Sequence, residues 1–185
     1  MTDVEICRWD ALTQAERQRL VADIDHVFFS SSNTQSFESD AAKAAFHTRW
    51  LGRYLQHFPQ YAFLARDSAR RAIGYVVGSV ADPARDPIFS DLPFLAAFAE
   101  ASARYPAHLH VNLVERWRGQ GLGARLIEAF SDAARREGAP GVHVVTQRGA
   151  RNVRFYHANG FRERAATTLG ETELVFLGRD LDRRT

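Results

Sequence analysis

The chain has 185 residues, of which 45% are hydrophobic and 25% charged, and this predicts one domain that buries a core of its own. Its single cysteine, Cys7, excludes an internal disulfide framework, and a place in an apparent strand favours a packed thiol over a nucleophile. The formal net charge is +2, with arginines scattered among acids, which disfavours a nucleic-acid-binding surface.

Targeting and membrane signals are not found in the sequence. The opening residues, "MTDVEICRWD", carry acids where a secretory leader needs basic residues followed by an apolar run. No apolar run approaches the roughly 18 residues needed to span a bilayer. We therefore expect a cytoplasmic protein that acts without a membrane or a nucleic acid, and a single domain over residues 1–185.

The first half of the chain predicts a strand, two helices and a hairpin. Residues 4–9 alternate as a strand, and residues 13–16, "TQAE", form a capping box at the start of a helix. A second helical pattern places Phe46, Trp50 and Tyr54 on one face.

Two β-rich runs, residues 61–66 and 72–80, follow with a polar turn between them and predict a hairpin. Residues 81–106 then form an irregular insertion with a short helix that begins at Pro93. We expect this insertion to be a lid over an acceptor site or, alternatively, a dimer contact.

The second half predicts a strand, a glycine loop, a helix, a buried strand, a short helix and two final strands. In "HLHVNLV" the polar residues His108, His110 and Asn112 alternate with apolar ones, so a strand sends the two sets to opposite faces. A helical period runs from the glycine loop to Gly138, and Gly160 closes the short helix.

The glycine loop, "RWRGQGLGA" at residues 116–124, fits two phosphate-binding patterns. From Gly119 it reads G-x-G-x-x-A, as in dinucleotide sites, and from Arg118 it reads R-x-x-G-x-G, as in acyl-CoA sites. A glycine turn before a helix favours an anion, although a tight turn that only needs glycine is an alternative. More than a hundred residues precede the loop and no acid follows the next strand at Gln147, which disfavours a dinucleotide.

The order from His108 to Phe161, strand, "RGQGLG", helix, strand, "NVRFYHANGF", resembles the GNAT superfamily of acyl-CoA-dependent N-acetyltransferases. The elements before and after it agree with that family. The resemblance implies an α/β (α+β) fold with a mixed, mostly antiparallel sheet of about seven strands, flanked by helices and split between the fourth and fifth strands. "AHLHVNLV" and "FYHANGF" also resemble arylalkylamine N-acetyltransferases, and the run to "VFLGRDL" resembles the C-terminal acetyltransferase-like domain of O-GlcNAcases and its bacterial relatives.

The resemblance implies a set of acyl-CoA contacts. Leu113 and Val114 would pair with the pantetheine arm through their backbones, and Asn152 and Phe155 would also contact the cosubstrate. The pyrophosphate would be held by Arg118, Gly119, Gln120, Gly121, Leu122, Gly123 and Ala124. Two of these residues have alternative interpretations: Arg118 as an ordinary surface charge, and Asn152 as the N-cap of the short helix.

The resemblance also implies catalytic roles. Tyr156 would be the general acid that protonates the departing thiolate, with a core tyrosine as the alternative. His108 and His110 would take a proton from the amine through water, or would be structural. Asn112 stands where O-GlcNAcase-like relatives tend to have an acid, so we expect it to bind substrate rather than act as a base.

The implied function is acetyl transfer from acetyl-CoA, as cosubstrate, directly to an amine of a small molecule, peptide or protein, without a metal. A homodimer is left open. Two alternatives remain at this point: a CoA-binding module without catalysis, and a dinucleotide binder.

Overall fold

The computed structural model describes residues 4–181, and its elements follow the predicted order. The strands are β1 (Glu5–Arg8), β2 (Phe63–Arg66), β3 (Ala72–Ser79), β4 (Ala107–Leu113), β5 (Gly141–Gln147), β6 (Arg162–Leu169) and β7 (Thr172–Asp180). The helices are α1 (Gln14–Ser31), α2 (Asp40–His47), α3 (Arg53–His57), α4 (Ala99–Arg104), α5 (Leu122–Arg136) and α6 (Asn152–Ala158).

Seven strands of the described chain form one mixed, mostly antiparallel sheet in the order β1-β2-β3-β4-β5-β7-β6, which confirms the predicted α/β fold. The pair β4 and β5 is parallel, and its ladder joins Ala107 to Val142 and His108 to His143. Both strands continue beyond these pairs, to Leu113 and Gln147. The expected split between the fourth and fifth strands stays a prediction.

The chain divides into two compact units, and neither is one continuous segment. Of the described residues, the first unit contains residues 4–78 and His110–Phe130, and the second contains Ser79–Leu109 and residues 131–181. Strand β4 and helix α5 each contribute residues to both units. The single domain over residues 1–185 therefore stays a prediction.

In the first unit, local signals in the sequence set the element boundaries. The capping box is confirmed: the Thr13 hydroxyl accepts from the Glu16 backbone N–H, and the Glu16 carboxylate accepts from the Thr13 N–H. The predicted hairpin is the antiparallel pair β2 and β3. Strand β1 is shorter than expected, because Trp9 begins a 3₁₀ turn.

The second helical pattern is not one regular helix. A π-helical turn, Thr48–Gly52, separates α2 from α3. The expected helix at Pro93 also differs, since Pro93–Phe98 is a 3₁₀ helix and regular α-helix begins only at Ala99. In both places the apolar spacing located a helical segment but did not reveal its local winding.

The second unit has a core around Phe98, Tyr105 and Phe176, each about 1% exposed or less. A Cβ at Gly141 would collide with the Tyr105 ring, and a Cβ at Gly178 would lie 2.9 Å from Arg164 Cγ and 3.0 Å from the Tyr105 ring, so glycine permits the close approach at both strand positions. The packing therefore explains two glycines that the sequence alone leaves unexplained.

Candidate functional site

The glycine loop lies between β4 and α5 in an open left-handed conformation. Gly119 and Gly121 have φ of +73° and +77°, and a Cβ at either position would meet no heavy atom within 4 Å. Both residues are exposed. Because α5 follows directly at Leu122, bare backbone N–H groups and the positive end of a fifteen-residue helix lie together. This arrangement suits a phosphate-bearing ligand.

The Arg118 side chain turns inward, toward the protein. Its Nε donates to the Leu113 carbonyl oxygen at 3.1 Å, and its Nη2 donates to the Ser31 hydroxyl at 3.4 Å. The Ser31 hydroxyl itself donates to the same Leu113 carbonyl at 3.3 Å. The three groups form a closed triangle that joins the last residue of α1, the end of β4 and the loop. Arg118 is therefore more than a surface charge.

The backbone at the end of β4 is already engaged in part. The Leu113 carbonyl accepts the two bonds of the triangle, and the Val114 N–H donates to the Ile73 carbonyl at 3.0 Å. The Val114 carbonyl accepts from the Trp117 N–H at 2.9 Å. A pantetheine arm that adds to this edge needs the Leu113 N–H or a rearrangement of these bonds.

Other loop residues shape the turn. The Gln120 side chain donates from Nε2 to the Arg116 carbonyl at 2.9 Å, and this hydrogen bond links two residues of the same loop. Leu122 and Gly123 are buried at the start of α5, and Ala124 is half-buried. Of the predicted pyrophosphate residues, the exposed backbone is thus that of Gly119, Gln120 and Gly121.

His110 lies in an aromatic pocket of the first unit. Its Nε2 is 3.1 Å from the Tyr54 hydroxyl, and its ring packs edge-on to Tyr54 and Trp50, with centroids 5.3 and 5.5 Å away. Burial, together with the positive charge of Arg53, lowers the pKa of His110 to about 4. The imidazole is therefore neutral at neutral pH, with one ring nitrogen unprotonated.

Asn112 contacts a second buried tyrosine. Its Nδ2 donates to the Tyr75 hydroxyl at 2.7 Å, which leaves the amide Oδ1 as an acceptor. Burial raises the pKa of Tyr75, so that phenol stays protonated. A Cβ at Gly74 would collide with Leu113 and the Asn112 carbonyl, so glycine on β3 permits this close approach. Asn112 is thus held in one orientation.

His108 has a different environment from His110. It is 6% exposed and lies in the second unit, edge-on to Phe89 at 4.9 Å and tilted against the His143 ring at 5.7 Å. The His143 ring stacks on Phe176 at 4.2 Å. His108 therefore lies among packed aromatic rings. This environment favours a structural role for His108 more than the surroundings of His110 favour such a role for His110.

Helix α6 carries Tyr156, which is 6% exposed and packs edge-on to Phe161 at 5.5 Å. Burial raises the pKa of Tyr156, which keeps the phenol protonated. Among residues 4–181, no group forms a hydrogen bond with its hydroxyl. Phe155 is half-buried beside it, with ring centroids 5.3 Å apart. The phenolic proton is thus available to a ligand.

Asn152 is not the N-cap of α6, contrary to one interpretation of the sequence. The N-cap is Arg151, and Asn152 is the first helical residue. Its Oδ1 accepts from the Thr146 hydroxyl of β5 at 3.0 Å, and the residue is exposed. The interpretation of Asn152 as a cosubstrate contact stays a prediction.

The inserted segment, residues 81–106, is packed rather than open. Phe89 and Phe98 are each 1% exposed, and Asp86 caps the 3₁₀ turn at Ile88. Asp82 accepts a 2.7 Å bond from the Ser102 hydroxyl. A lid that moves would have to break these contacts, which weighs against that expectation.

Sequence reasoning missed four residues of this region: Ser31, Trp50, Tyr54 and Tyr75. The helical pattern predicts that Trp50 and Tyr54 share one face, but nothing in the sequence pairs that face with His110.

Among the residues described, no three His, Cys, Asp or Glu side chains are grouped to hold a metal ion. No described helix is long and apolar enough to cross a bilayer.

Comparison with known proteins identifies similar chains. A family model described as acetyltransferase (GNAT) domain matches residues 60–163, more than half of the chain. SsHAT has a similar fold, with a TM-score of 0.73 and 23% identity over 97% of this chain and 99% of that one.

Two further structures carry the same fold. A chain of the NatC complex bound to Gag peptide and CoA matches with a TM-score of 0.62 and 15% identity, over 97% of this chain and 99% of that one. The structure of yncA from Salmonella typhimurium with its cofactor acetyl-CoA matches with a TM-score of 0.60 and 18% identity, over 100% and 97%. At these identities the likeness concerns the fold.

Proposed function

Because this chain belongs to the acetyltransferase (GNAT) domain family, we propose that it transfers an acetyl group from acetyl-CoA directly to an amine. The observation that carries this proposal is the glycine loop, with positive φ at Gly119 and Gly121 immediately before α5. The acetyl-CoA complex of yncA supports the choice of cosubstrate.

The loop binds the pyrophosphate through backbone N–H groups of Gly119, Gln120 and Gly121. The open space at both glycines lets an anion approach the backbone closely, and the start of α5 adds a favourable dipole. Arg118 supports the site by holding Leu113 and Ser31 in place through charge-assisted hydrogen bonds. Leu113, Asn152 and Phe155 complete the cosubstrate contacts.

The reaction proceeds in a ternary complex. The neutral amine nitrogen attacks the thioester carbonyl carbon, so that a C–N bond forms, the C–S bond breaks and the nitrogen loses one proton. His110, neutral at neutral pH, accepts that proton directly or through water. Tyr156, kept protonated by burial, donates its proton to the departing CoA thiolate. No covalent enzyme intermediate is needed.

Asn112 orients the acceptor through its Oδ1, which can accept a hydrogen bond from an amine N–H. His108, in its aromatic surroundings, is the secondary candidate for proton transfer. The acceptor is an amine of a small molecule, peptide or protein; the NatC structure, with its bound peptide, supports the peptide class.

The finer parts of the proposal concern ancestry and setting. We place the chain nearest to the bacterial relatives of the O-GlcNAcase acetyltransferase-like domain, on the run from residue 104 through "VFLGRDL". We further propose one functional domain, a cytoplasmic location, catalysis without a metal, and a homodimer as the oligomeric state to be tested.

A thermal-shift comparison of acetyl-CoA, CoA, NAD and FAD on the full chain tests cosubstrate binding. A ligand at about 100 times its dissociation constant adds about 2.7 kcal/mol to the free energy of unfolding, several degrees for a chain of this size. We expect a shift with acetyl-CoA and CoA, and none with NAD or FAD. A shift with a dinucleotide alone contradicts the proposal.

Catalysis is tested separately by release of free CoA thiol over a panel of amines and peptides. Thiol release that depends on the amine supports acetyl transfer. Binding of acetyl-CoA with no transfer to any member of the panel indicates a CoA-binding module instead.

A further inference from the structure

Tyr54 is the one described group that hydrogen-bonds the His110 ring, through Oη and Nε2 at 3.1 Å. The tyrosine is 1% exposed and belongs to α3, which follows the π-helical turn. Its own ring also packs on the imidazole edge, with centroids 5.3 Å apart. The position of this hydroxyl is thus set by packing rather than by solvent.

The hydrogen bond determines what the imidazole can do. A neutral imidazole carries one proton, so one ring nitrogen donates and the other accepts. If Nε2–H donates to the Tyr54 oxygen, Nδ1 carries the lone pair. If Tyr54 donates to Nε2 instead, Nδ1 is protonated and cannot accept a proton from the amine. The tautomer therefore decides whether His110 can act as a base.

We propose that Tyr54 is a positioning residue that accepts a hydrogen bond from Nε2–H of His110 and so leaves Nδ1 as the basic nitrogen. This rests on the proposed acetyl transfer. When Nδ1 takes the proton of the amine, the imidazolium keeps its Nε2–H bond to Tyr54, and Tyr54 neither gains nor loses a proton. The Nδ1 proton then passes to solvent.

Trp50 is a second aromatic residue that contacts the His110 ring. Its ring packs edge-on to His110 at 5.5 Å, and it lies inside the π-helical turn. π-Helical turns often occur at functional sites because they shift the register of the side chains that follow. Here Trp50 lies in the turn and Tyr54 in the helix that follows it, and both residues contact the imidazole.

The first test is long-range ¹H–¹⁵N NMR of the full chain, which distinguishes the two imidazole tautomers. We expect the Nε2–H tautomer for His110 in the wild type and a mixture of tautomers in Tyr54→Phe. Tyr61→Phe is the matched control, because Tyr61 is a buried tyrosine of the same unit that packs on Phe130. A wild-type His110 in the Nδ1–H form overturns the proposal without needing any variant.

The second test is steady-state kinetics. We expect Tyr54→Phe to lower kcat about tenfold while the KM for acetyl-CoA stays unchanged, because the lost bond orients the base and does not touch the cosubstrate. Unchanged kcat and unchanged tautomer in Tyr54→Phe refute the positioning role. If the wild type transfers no acetyl group at all, the proposed function fails, while the NMR result still decides whether Tyr54 sets the tautomer.

Discussion

The guanidinium Nε of Arg118 donates a hydrogen bond to the carbonyl oxygen of Leu113, 3.1 Å away. The bond runs from the first residue of the R-x-x-G-x-G pattern back to the strand before it, rather than outward to where an anion would approach. Ser31 bonds to both partners and adds the end of α1. Arg118 thus connects the loop to the end of β4 and to the end of α1.

Substitutions of Arg118 should distinguish the effect of its positive charge on acetyl-CoA affinity from the effect of its hydrogen bonds to Leu113 and Ser31. We expect Arg118→Lys to weaken acetyl-CoA binding nearly as much as Arg118→Ala, because lysine lacks the planar fork that reaches Leu113 and Ser31 with two separate nitrogens. We expect both variants to lose about tenfold or more in affinity, which corresponds to about 1.4 kcal/mol. Isothermal titration with acetyl-CoA measures the effect.

The control for Arg118 is Arg116→Ala, since Arg116 is an exposed arginine of the same loop. We expect it to change the affinity by less than about threefold, because the charge of an exposed side chain is screened. If Arg118→Lys binds acetyl-CoA like the wild type, the charge alone matters and the positioning account is wrong.

Glycine at position 121 should be required for two separable reasons. Gly121→Ala places an L residue at φ of +77°, which costs about 1–2 kcal/mol of stability although the space around the new Cβ is open. Gly138 has a φ of +78° and equally open space, so Gly138→Ala should lose similar stability. Only Gly121→Ala should also weaken acetyl-CoA binding, by more than about tenfold. Equal affinities for the two variants, measured beside urea unfolding, would count against the loop as the anion site.

Tyr156→Phe removes only a hydroxyl with no hydrogen-bond partner among residues 4–181. We expect kcat to fall by about 10²-fold or more with little change in stability or in acetyl-CoA affinity. Because burial raises the pKa of Tyr156, the phenol should not limit the rate at pH values below its usual titration range. The comparison is Tyr105→Phe, which removes another buried hydroxyl without a hydrogen bond. Similar turnover in both variants would remove the acid role from Tyr156.

His110 should make the protein sensitive to acid. Its folded-state pKa of about 4 lies below the roughly 6.5 expected for the unfolded chain, so the unfolded state binds the proton more readily. The neutral ring contributes stability that is fully present above about pH 6.5 and is lost as the pH falls toward 4. The loss amounts to at most about 3 kcal/mol.

Urea unfolding between pH 4 and pH 8 measures this effect. We expect the wild type to lose more stability on acidification than His110→Gln, while His57→Gln, at an exposed position, follows the wild type. Parallel pH dependence in the wild type and in His110→Gln would contradict a lowered pKa. The same pKa predicts that protonation of His110 lowers kcat/KM for the amine only below about pH 5.

Local signals were sufficient for the order of elements. The capping box at Thr13, the alternation in "HLHVNLV" and the glycines at positions 119, 121, 138, 160 and 170 each act over a few residues. Such signals need no partner elsewhere in the chain, because capping, strand alternation and left-handed φ are properties of neighbouring residues. The seven-stranded mixed sheet and the place of the glycine loop between β4 and α5 followed from them, with the help of the family resemblance.

The contacts inside the site depend on long-range packing instead. Tyr54 meets His110 across 56 residues of sequence, Asn112 meets Tyr75 across 37, and Arg118 meets Ser31 across 87. No short-range periodicity encodes which side chains face one another over such separations, and the π-helical turn before α3 altered the helix winding that the apolar spacing suggested. The residue types and their order came from the chain itself, whereas the partner of each polar group was decided by how the elements pack.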